Sequence, residues 1–415
     1  MIRSKHLALL LGLLALSPLV FGQEDNCVTC HREFEDEQTG PSHMFVRDIH
    51  AQKGLGCADC HGGDTAAEDM EDVRRAKNYR GVPTHRQVPD FCARCHSNPA
   101  YMHEHNPSLP TDQLDKYKSS VHGQRMFRER DAKVADCISC HSVHEIGSGL
   151  MPHSSTHPLN LPQTCGKCHA DAEYMAEYGI PTTQLDDYRQ SVHGIALLER
   201  HDLGAPACND CHGNHGAAPP GVTSLAAVCG NCHVLEAGLF KGSPHQEAFS
   251  QNDLPMCESC HSNHLIVETS DIMVGSAEPA VCVQCHEPDD GNAGLQTAMS
   301  ISTAIKELRL AQEEAGKILA EAGAKGMMIT DEEFLYKEVN QALIQARTQV
   351  HAFNADSVMA KTTEGLTKAE TVQTNAASLI DEYYFRRKGL GLATVFITIL
   401  AVALYLKIRR LEKNQ

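Results

Sequence analysis

The sequence predicts a mainly α-helical chain with little regular secondary structure at first, then a helical hairpin or coiled-coil stalk and one C-terminal transmembrane helix. Three observations predict this. Nine Cys-x-x-Cys-His motifs punctuate residues 27–286; residues 293–387 then hold neither cysteine nor proline; residues 389–406 are uncharged. The divisions read from composition are a leader at 1–22, the motif region at 23–290, the stalk at 293–387, the span at 389–406 and a tail at 407–415.

The 18 cysteines are fully allocated as Cys27/Cys30, Cys57/Cys60, Cys92/Cys95, Cys137/Cys140, Cys165/Cys168, Cys208/Cys211, Cys229/Cys232, Cys257/Cys260 and Cys282/Cys285. Zinc ribbons and redox dithiols also use Cys-x-x-Cys, but neither requires a histidine next. Here all nine pairs have one: His31, His61, His96, His141, His169, His212, His233, His261 and His286. Covalent haem requires that order, because two thiols add to the vinyl groups and the adjoining imidazole meets the iron. The expected cofactors are therefore nine c-type haems with their iron. With about 29 residues per motif there is too little chain for separate hydrophobic cores, so the macrocycles are expected to be the core.

Self-similarity organises the motif region. "ARCHSNPAYMHEHNPSLPTDQLDKYKSSVHG" from Ala93 returns as "GKCHADAEYMAEYGIPTTQLDDYRQSVHG" from Gly166. Weaker copies from Cys27 and Cys229 make four two-haem units plus a ninth motif.

The histidines outside the motifs are candidates for the sixth iron position. His122, His193 and His245 lie twelve to fifteen residues before a following motif, and His43 fourteen before Cys57. That spacing suggests a loop folding back over the haem it precedes. His144, His215 and His264 lie three past a motif histidine and are expected to reach a neighbouring haem. His50 and His85 lie seven before a motif. The first unit breaks the pattern, with Asp64 where a ligand would fall, so the sixth ligands of the Cys27 and Cys57 haems stay open. His157 lies eight before Cys165, while His103, His105, His153, His201 and His351 are surplus; a stalk histidine such as His351 could close a haem, but an exposed helix position is the simpler expectation.

Past the motifs, Ile301, Ile305, Leu308, Ala315, Leu319 and Ala322 form one apolar stripe, with Gln312 polar within it. A turn is expected at Gly323–Gly326, then a capping box of Thr330 with Glu333, opening a helix with Val339, Leu343, Ala346, Val350 and Phe353 on one face. The expected role of this stalk is mechanical. The start, "MIRSKHLALLLGLLALSPLVFG", has the basic end and short apolar run of a secretory signal peptide. Residues 389–406 suffice for a span, and basic residues flank both ends, so charge alone does not orient it. The leader does: the expected location is the bacterial inner membrane, with the haem domain in the periplasm. A formal net charge of −17 argues against a nucleic-acid partner.

In its nine motifs, its Ser-Val-His-Gly histidines His122 and His193, and its Cys-His-x-x-His histidines His144, His215 and His264, the chain resembles the periplasmic multihaem cytochromes c with paired motifs. That grouping takes in class III cytochromes c, octahaem reductases and hydroxylamine oxidoreductase-like proteins. The resemblance implies an electron-transfer protein working between a quinone-linked membrane complex and soluble periplasmic carriers. The alternative is an oxidoreductase acting on nitrite, hydroxylamine or tetrathionate at one open haem, for which the first motif is the candidate. The Cys-x-x-Cys-Lys motif that often marks such catalytic haems is not among the nine, and no catalytic residue is assigned.

Overall fold

In the computed structural model, residues 25–37, 39–220, 225–288 and 293–413 are described. The leader read at 1–22 and the last two residues of the tail lie outside them. The chain forms two compact units, Met1–Pro219 and Pro220–Gln415, so the last three motifs belong with the stalk helices. All regular structure among the described residues is helical.

In the first unit the motifs sit on two kinds of short helix. The third and fifth close nine-residue helices, Val88–His96 and Leu161–His169, each with proline in its first turn, where no amide hydrogen bond is lost. The second, fourth and sixth occupy five-residue helices, Cys57–His61, Cys137–His141 and Cys208–His212. These are too short to persist alone and are closed by side chains. Asp136 accepts from the Ser139 amide at 3.0 Å, while Asp59 and Asp210 reach back to the amides of Gly56 and Ala207 at 2.7 Å. The residue after each motif histidine turns left-handed: Gly62 (φ 68°), Ser142 (φ 62°) and Gly213 (φ 77°). That turn swings the following chain off the helix axis.

The Ser-Val-His-Gly element has a physical reason for each recurring letter. Ser120 caps the turn by accepting from the Gly123 amide at 3.0 Å, and its hydroxyl donates to the Tyr117 carbonyl at 2.6 Å. Ser191 repeats both bonds with Gly194 and Tyr188 at the same distances. A Cβ on Gly123 would lie 1.9 Å from the Tyr117 carbonyl oxygen, and one on Gly194 1.8 Å from that of Tyr188. The tyrosines brace the next motif: Tyr117 donates to the Ala135 carbonyl at 2.7 Å and Tyr188 to that of Pro206 at 2.8 Å. Apolar packing here is limited to small groups such as Tyr117, Met126 and Val134.

The second unit adds a three-helix bundle: Gly294–Ala324, Thr330–Gln349 and Ala355–Glu412. The expected stripes are its core. Ile301, Ile305, Leu308, Ala315, Leu319 and Ala322 meet Val339, Leu343 and Ala346, and the third helix contributes Val358, Ala369, Val372 and Ala376. Gln312 is accommodated by donating to the Tyr336 hydroxyl at 2.8 Å and to Asn340 Oδ1 at 2.9 Å. Two expectations are corrected. The second helix ends at Gln349, so Phe353 leaves its apolar face and packs against Phe240 and His245 instead. Thr330 is the first helical residue rather than the cap; Ile329 precedes it, and no side chain caps the helix. The third helix runs unbroken for 58 residues from the bundle into the apolar segment, ~87 Å at 1.5 Å per residue. It is long and apolar enough to cross a membrane.

Candidate haem-binding sites

The structure sets imidazole rings opposite one another in a recurring geometry. The ring centroids are 5.9 Å apart for His50–His96 and His245–His286, and 6.0 Å apart for His61–His144, His122–His169, His141–His215 and His261–His351. The interplanar angles range from 16° to 84°, so ring stacking does not set the spacing. The spacing is near that of two imidazoles across one iron: with metal–nitrogen bonds of about 2 Å and ring centres ~1.2 Å behind each nitrogen, the centroids would lie ~6.4 Å apart. Each pair holds one motif histidine, and the residues present therefore fit bis-imidazole haem.

The protonation pattern agrees. Ligation needs a neutral ring with a free lone pair, and the other nitrogen usually donates to a nearby oxygen. Nδ1 of His50 pairs with Asp48 at 2.8 Å, that of His61 with the Gly81 carbonyl at 2.9 Å, and that of His351 with the Thr348 carbonyl at 3.0 Å, leaving Nε2 available in each. Burial, and then the facing imidazole, hold His122, His141, His144, His245 and His261 below the ordinary histidine range. His96 is lowered in the same way, by burial and then by His50.

The pairing interlocks the chain. His50, between the first and second motifs, faces the third; His122, between the third and fourth, faces the fifth; His245, between the seventh and eighth, faces the ninth. His144, after the fourth motif, faces the second, and His215, after the sixth, faces the fourth. The expected partners of His122, His144 and His245 therefore change, His245 facing the ninth motif rather than the eighth that it precedes. His122 lies across from His169 rather than from the motif it precedes, and His144 reaches back to His61, supplying the partner that Asp64 left open. The reason is the left-handed turn after each short motif, at Ser142 and again at His144 (φ 60°), which directs the third residue away from its own motif.

Other candidates are placed differently. His85 uses Nε2 on the Val134 carbonyl at 2.8 Å, bracing the segment before Cys137, and faces no motif imidazole among the described contacts. His43 sits on the short helix Pro41–Met44, likewise without a facing ring among them. His193 occupies the Ser191-capped turn equivalent to that of His122, and His264 follows the left-handed Ser262 as His144 follows Ser142. His31 pairs its Nδ1 with Glu35 at 2.5 Å. Sequence reasoning ranked His351 among the surplus, because a single histidine on a helical stalk carries no repeat signal.

The thiols bring consecutive motifs together. Cys92 and Cys137 are hydrogen-bonded, as are Cys165 and Cys208, and Cys229 and Cys257. In the unalkylated chain the shared bond lowers Cys92 and raises Cys137, and it lowers Cys229 to about 7. Burial, then the negative field of Cys95, raises Cys60. Burial, then Cys165, raises Cys140 to about 11, and burial followed by Cys282 does the same for Cys260. Burial, with Asp25 and then Cys57 beside it, raises Cys27 to about 12. Thioether formation removes these titrations.

The second cysteine of a motif is placed in two ways. Cys95 and Cys168 are half-buried, with the hydroxyls of Tyr101 and Tyr174 hydrogen-bonded to their thiols. Cys30, Cys211, Cys232 and Cys285 are exposed. The local reason is clear for two of them. Cys232 and Cys285 fall just past the ends of the helices Leu225–Gly230 and Val281–Gln284, on the turn that leads out of each. The helical step to the histidine survives even so, because the amides of His233 and His286 donate to the carbonyls of Cys229 and Cys282 at 2.9 and 3.0 Å. All 18 cysteines are free of disulfides, as attachment through both thiols of each motif requires.

Known proteins agree with this chemistry. Residues 49–170 match the family model described as Cytochrome c3, and residues 245–291 match that of the doubled CXXCH motif. A C-type polyheme cytochrome, OmcC, of Geobacter sulfurreducens is 25% identical over 45% of this chain. The chain spans only 25% of that relative's length. With paired thiols on short helices and turns, a histidine after each pair and imidazoles facing the motif histidines at metal-ligand spacing, the chain is a multihaem c-type cytochrome.

Proposed function

We propose that this is a nonahaem electron conduit, anchored by the helix Ala355–Glu412 at the periplasmic face of the inner membrane. It would pass electrons between a quinone-linked membrane complex and soluble periplasmic carriers. The observation that carries this reading is the facing of imidazoles at 5.9–6.0 Å. An iron held from both sides has no position for substrate, and bis-imidazole ligation suits low-potential electron transfer. Haem supplies the redox chemistry, its iron alternating between ferric and ferrous states. The chain's own contribution is placement. Motif thiols neighbour one another in sequence order, one to six within the first unit and seven to nine within the second, some hydrogen-bonded and the rest near enough to feel each other's charge. Such an order suits stepwise transfer between neighbours. The interlocked histidines cross-link segments distant in sequence, which favours a rigid frame that changes little with redox state.

The test uses native membrane vesicles containing the full chain. A quinol should reduce the haem absorbance of the wild type, and an added soluble cytochrome should then be reduced. Haem that stays oxidised while other quinol-linked cytochromes in the same vesicles are reduced would overturn the assignment.

A further inference from the structure

The alternating ligand pattern leaves the eighth motif without a source. Among the described pairs, the second motif takes its facing histidine from behind the fourth, and the fourth from behind the sixth. The eighth would need one from behind a tenth, and residues 287–415 hold no further motif. The ring that faces the eighth motif's His261 comes instead from the stalk, at the same 6.0 Å and with an interplanar angle of 21°. We infer that His351, in the turn between the second and third bundle helices, is the distal iron ligand of the haem attached at Cys257 and Cys260. The stalk would then be part of the redox centre as well as its support. This inference rests on reading the imidazole pairs as ligand pairs.

Three features position His351 for this role. Its Nδ1 donates to the Thr348 carbonyl at 3.0 Å, which fixes the tautomer with Nε2 toward His261. One turn earlier, Arg347 grips Asp271 with two bonds, Nε to Oδ1 at 2.8 Å and Nη2 to Oδ2 at 2.9 Å. Asp271 lies between the eighth and ninth motifs, so this fork sets the height of the helix against the motif segment. Two residues later, Phe353 turns left-handed (φ 50°), a conformation costing about 1 kcal/mol or more for a bulky residue. Packing offsets that cost: the ring lies 3.8 Å from that of His245 and meets Phe240 edge-on at 6.3 Å. His245 is the ring facing the ninth motif's His286. One turn of the stalk thus supplies a ligand to the eighth haem and braces the ligand of the ninth.

The experiment compares His351→Ala with His122→Ala in the full-length, haem-loaded protein, reading low-temperature EPR of the oxidised form and carbon monoxide binding by the reduced form. If His351 is a ligand, its loss converts one haem to high spin and creates one new carbon monoxide site, with the haem count unchanged. A His351→Met variant then restores low spin and raises the potential of that haem, as His/Met ligation does. Should His122→Ala produce a high-spin haem while His351→Ala does not, His351 is no ligand and the stalk assignment fails alone. If neither variant changes spin state, the pairing itself is wrong. A His351→Ala variant that loses haem is decided by His351→Met: retained haem with the sulfur-ligated signature supports ligation, and an unaltered bis-imidazole spectrum overturns it.

Discussion

Asp48, almost fully buried, accepts a hydrogen bond from the ring Nδ1 of His50 at 2.8 Å while its other oxygen accepts from the Ile146 amide at 2.7 Å. One carboxylate thereby holds the ring facing His96 and the segment of chain two residues beyond His144, the ring facing His61. A carboxylate on Nδ1 makes the imidazole a stronger donor and favours the ferric state. Asp48→Asn keeps the shape and removes the charge. The expected result is one haem whose potential rises by on the order of 60 mV, since a tenfold change is about 59 mV for one electron. Haem content and spin state should not change. Potentiometric titration of the variant against wild type checks this.

Asp48 also predicts an acid response. Burial pushes its carboxyl up, but the bonds from His50 and Ile146 outweigh burial and hold it below the ordinary aspartate range. A depressed folded value contributes stability at pH above the unfolded value of about 3.9, and that stability is lost as pH falls through the folded value. Acid titration followed by the low-spin spectrum should therefore show wild type outlasting Asp48→Asn only above the folded value of Asp48, with the two converging below it.

Gly123 should behave as a ligand-site residue without touching iron. An added methyl meets the Tyr117 carbonyl oxygen at 1.9 Å, a backbone atom that cannot rotate away. Gly123→Ala is expected to displace His122 and leave one haem wholly or partly high-spin. An unchanged EPR spectrum would show that the turn has slack which the packing does not reveal.

His85 provides the opposite case. With Nε2 committed to the Val134 carbonyl, its replacement by glutamine should leave every haem low-spin. The expected cost is that of one hydrogen bond, about 1 kcal/mol of stability. A new high-spin signal in His85→Gln would place His85 on an iron after all.

The bundle can be tested apart from haem. Gly365 sits where three helices meet, and a Cβ there would lie 2.7 Å from Leu308 Cδ1 and 3.0 Å from the Ala342 Cβ. Leu308 is fully buried and has nowhere to move. Gly365→Ala should destabilise the bundle by about 1–3 kcal/mol, seen as a lower thermal midpoint for the helical signal.

Some of this was legible in sequence and some was not, for physical reasons. The motif cysteines and histidines were legible because attachment chemistry imposes their spacing. How far the polypeptide covers each thiol was not, since Cys95 and Cys30 hold the same place in their motifs and differ in what packs beside them. The bundle stripes, from Ile301 to Ala322 and from Val339 to Ala346, were legible because burial follows helical periodicity. Continuity of the third helix into the apolar segment followed from the unbroken run of helix-compatible residues. Ligand partners were not legible, since a spacing along the chain fixes neither the direction of a turn nor which motif lies beyond it. His122 and His144 show this: each faces a motif other than the one its spacing suggests, and for His144 the left-handed residues Ser142 and His144 set the direction. His351 was ranked as a helix-surface position because a single histidine on the stalk has no repeat to support a ligand role.

The most direct test of the conduit reading is low-temperature EPR of the fully oxidised, full-length protein, with spin counted against total haem. The account predicts low-spin signals throughout, unaltered by nitrite, hydroxylamine or sulfite. A high-spin fraction of about one haem in nine that shifts on adding any of these would contradict it, and would identify an open iron at which chemistry takes place.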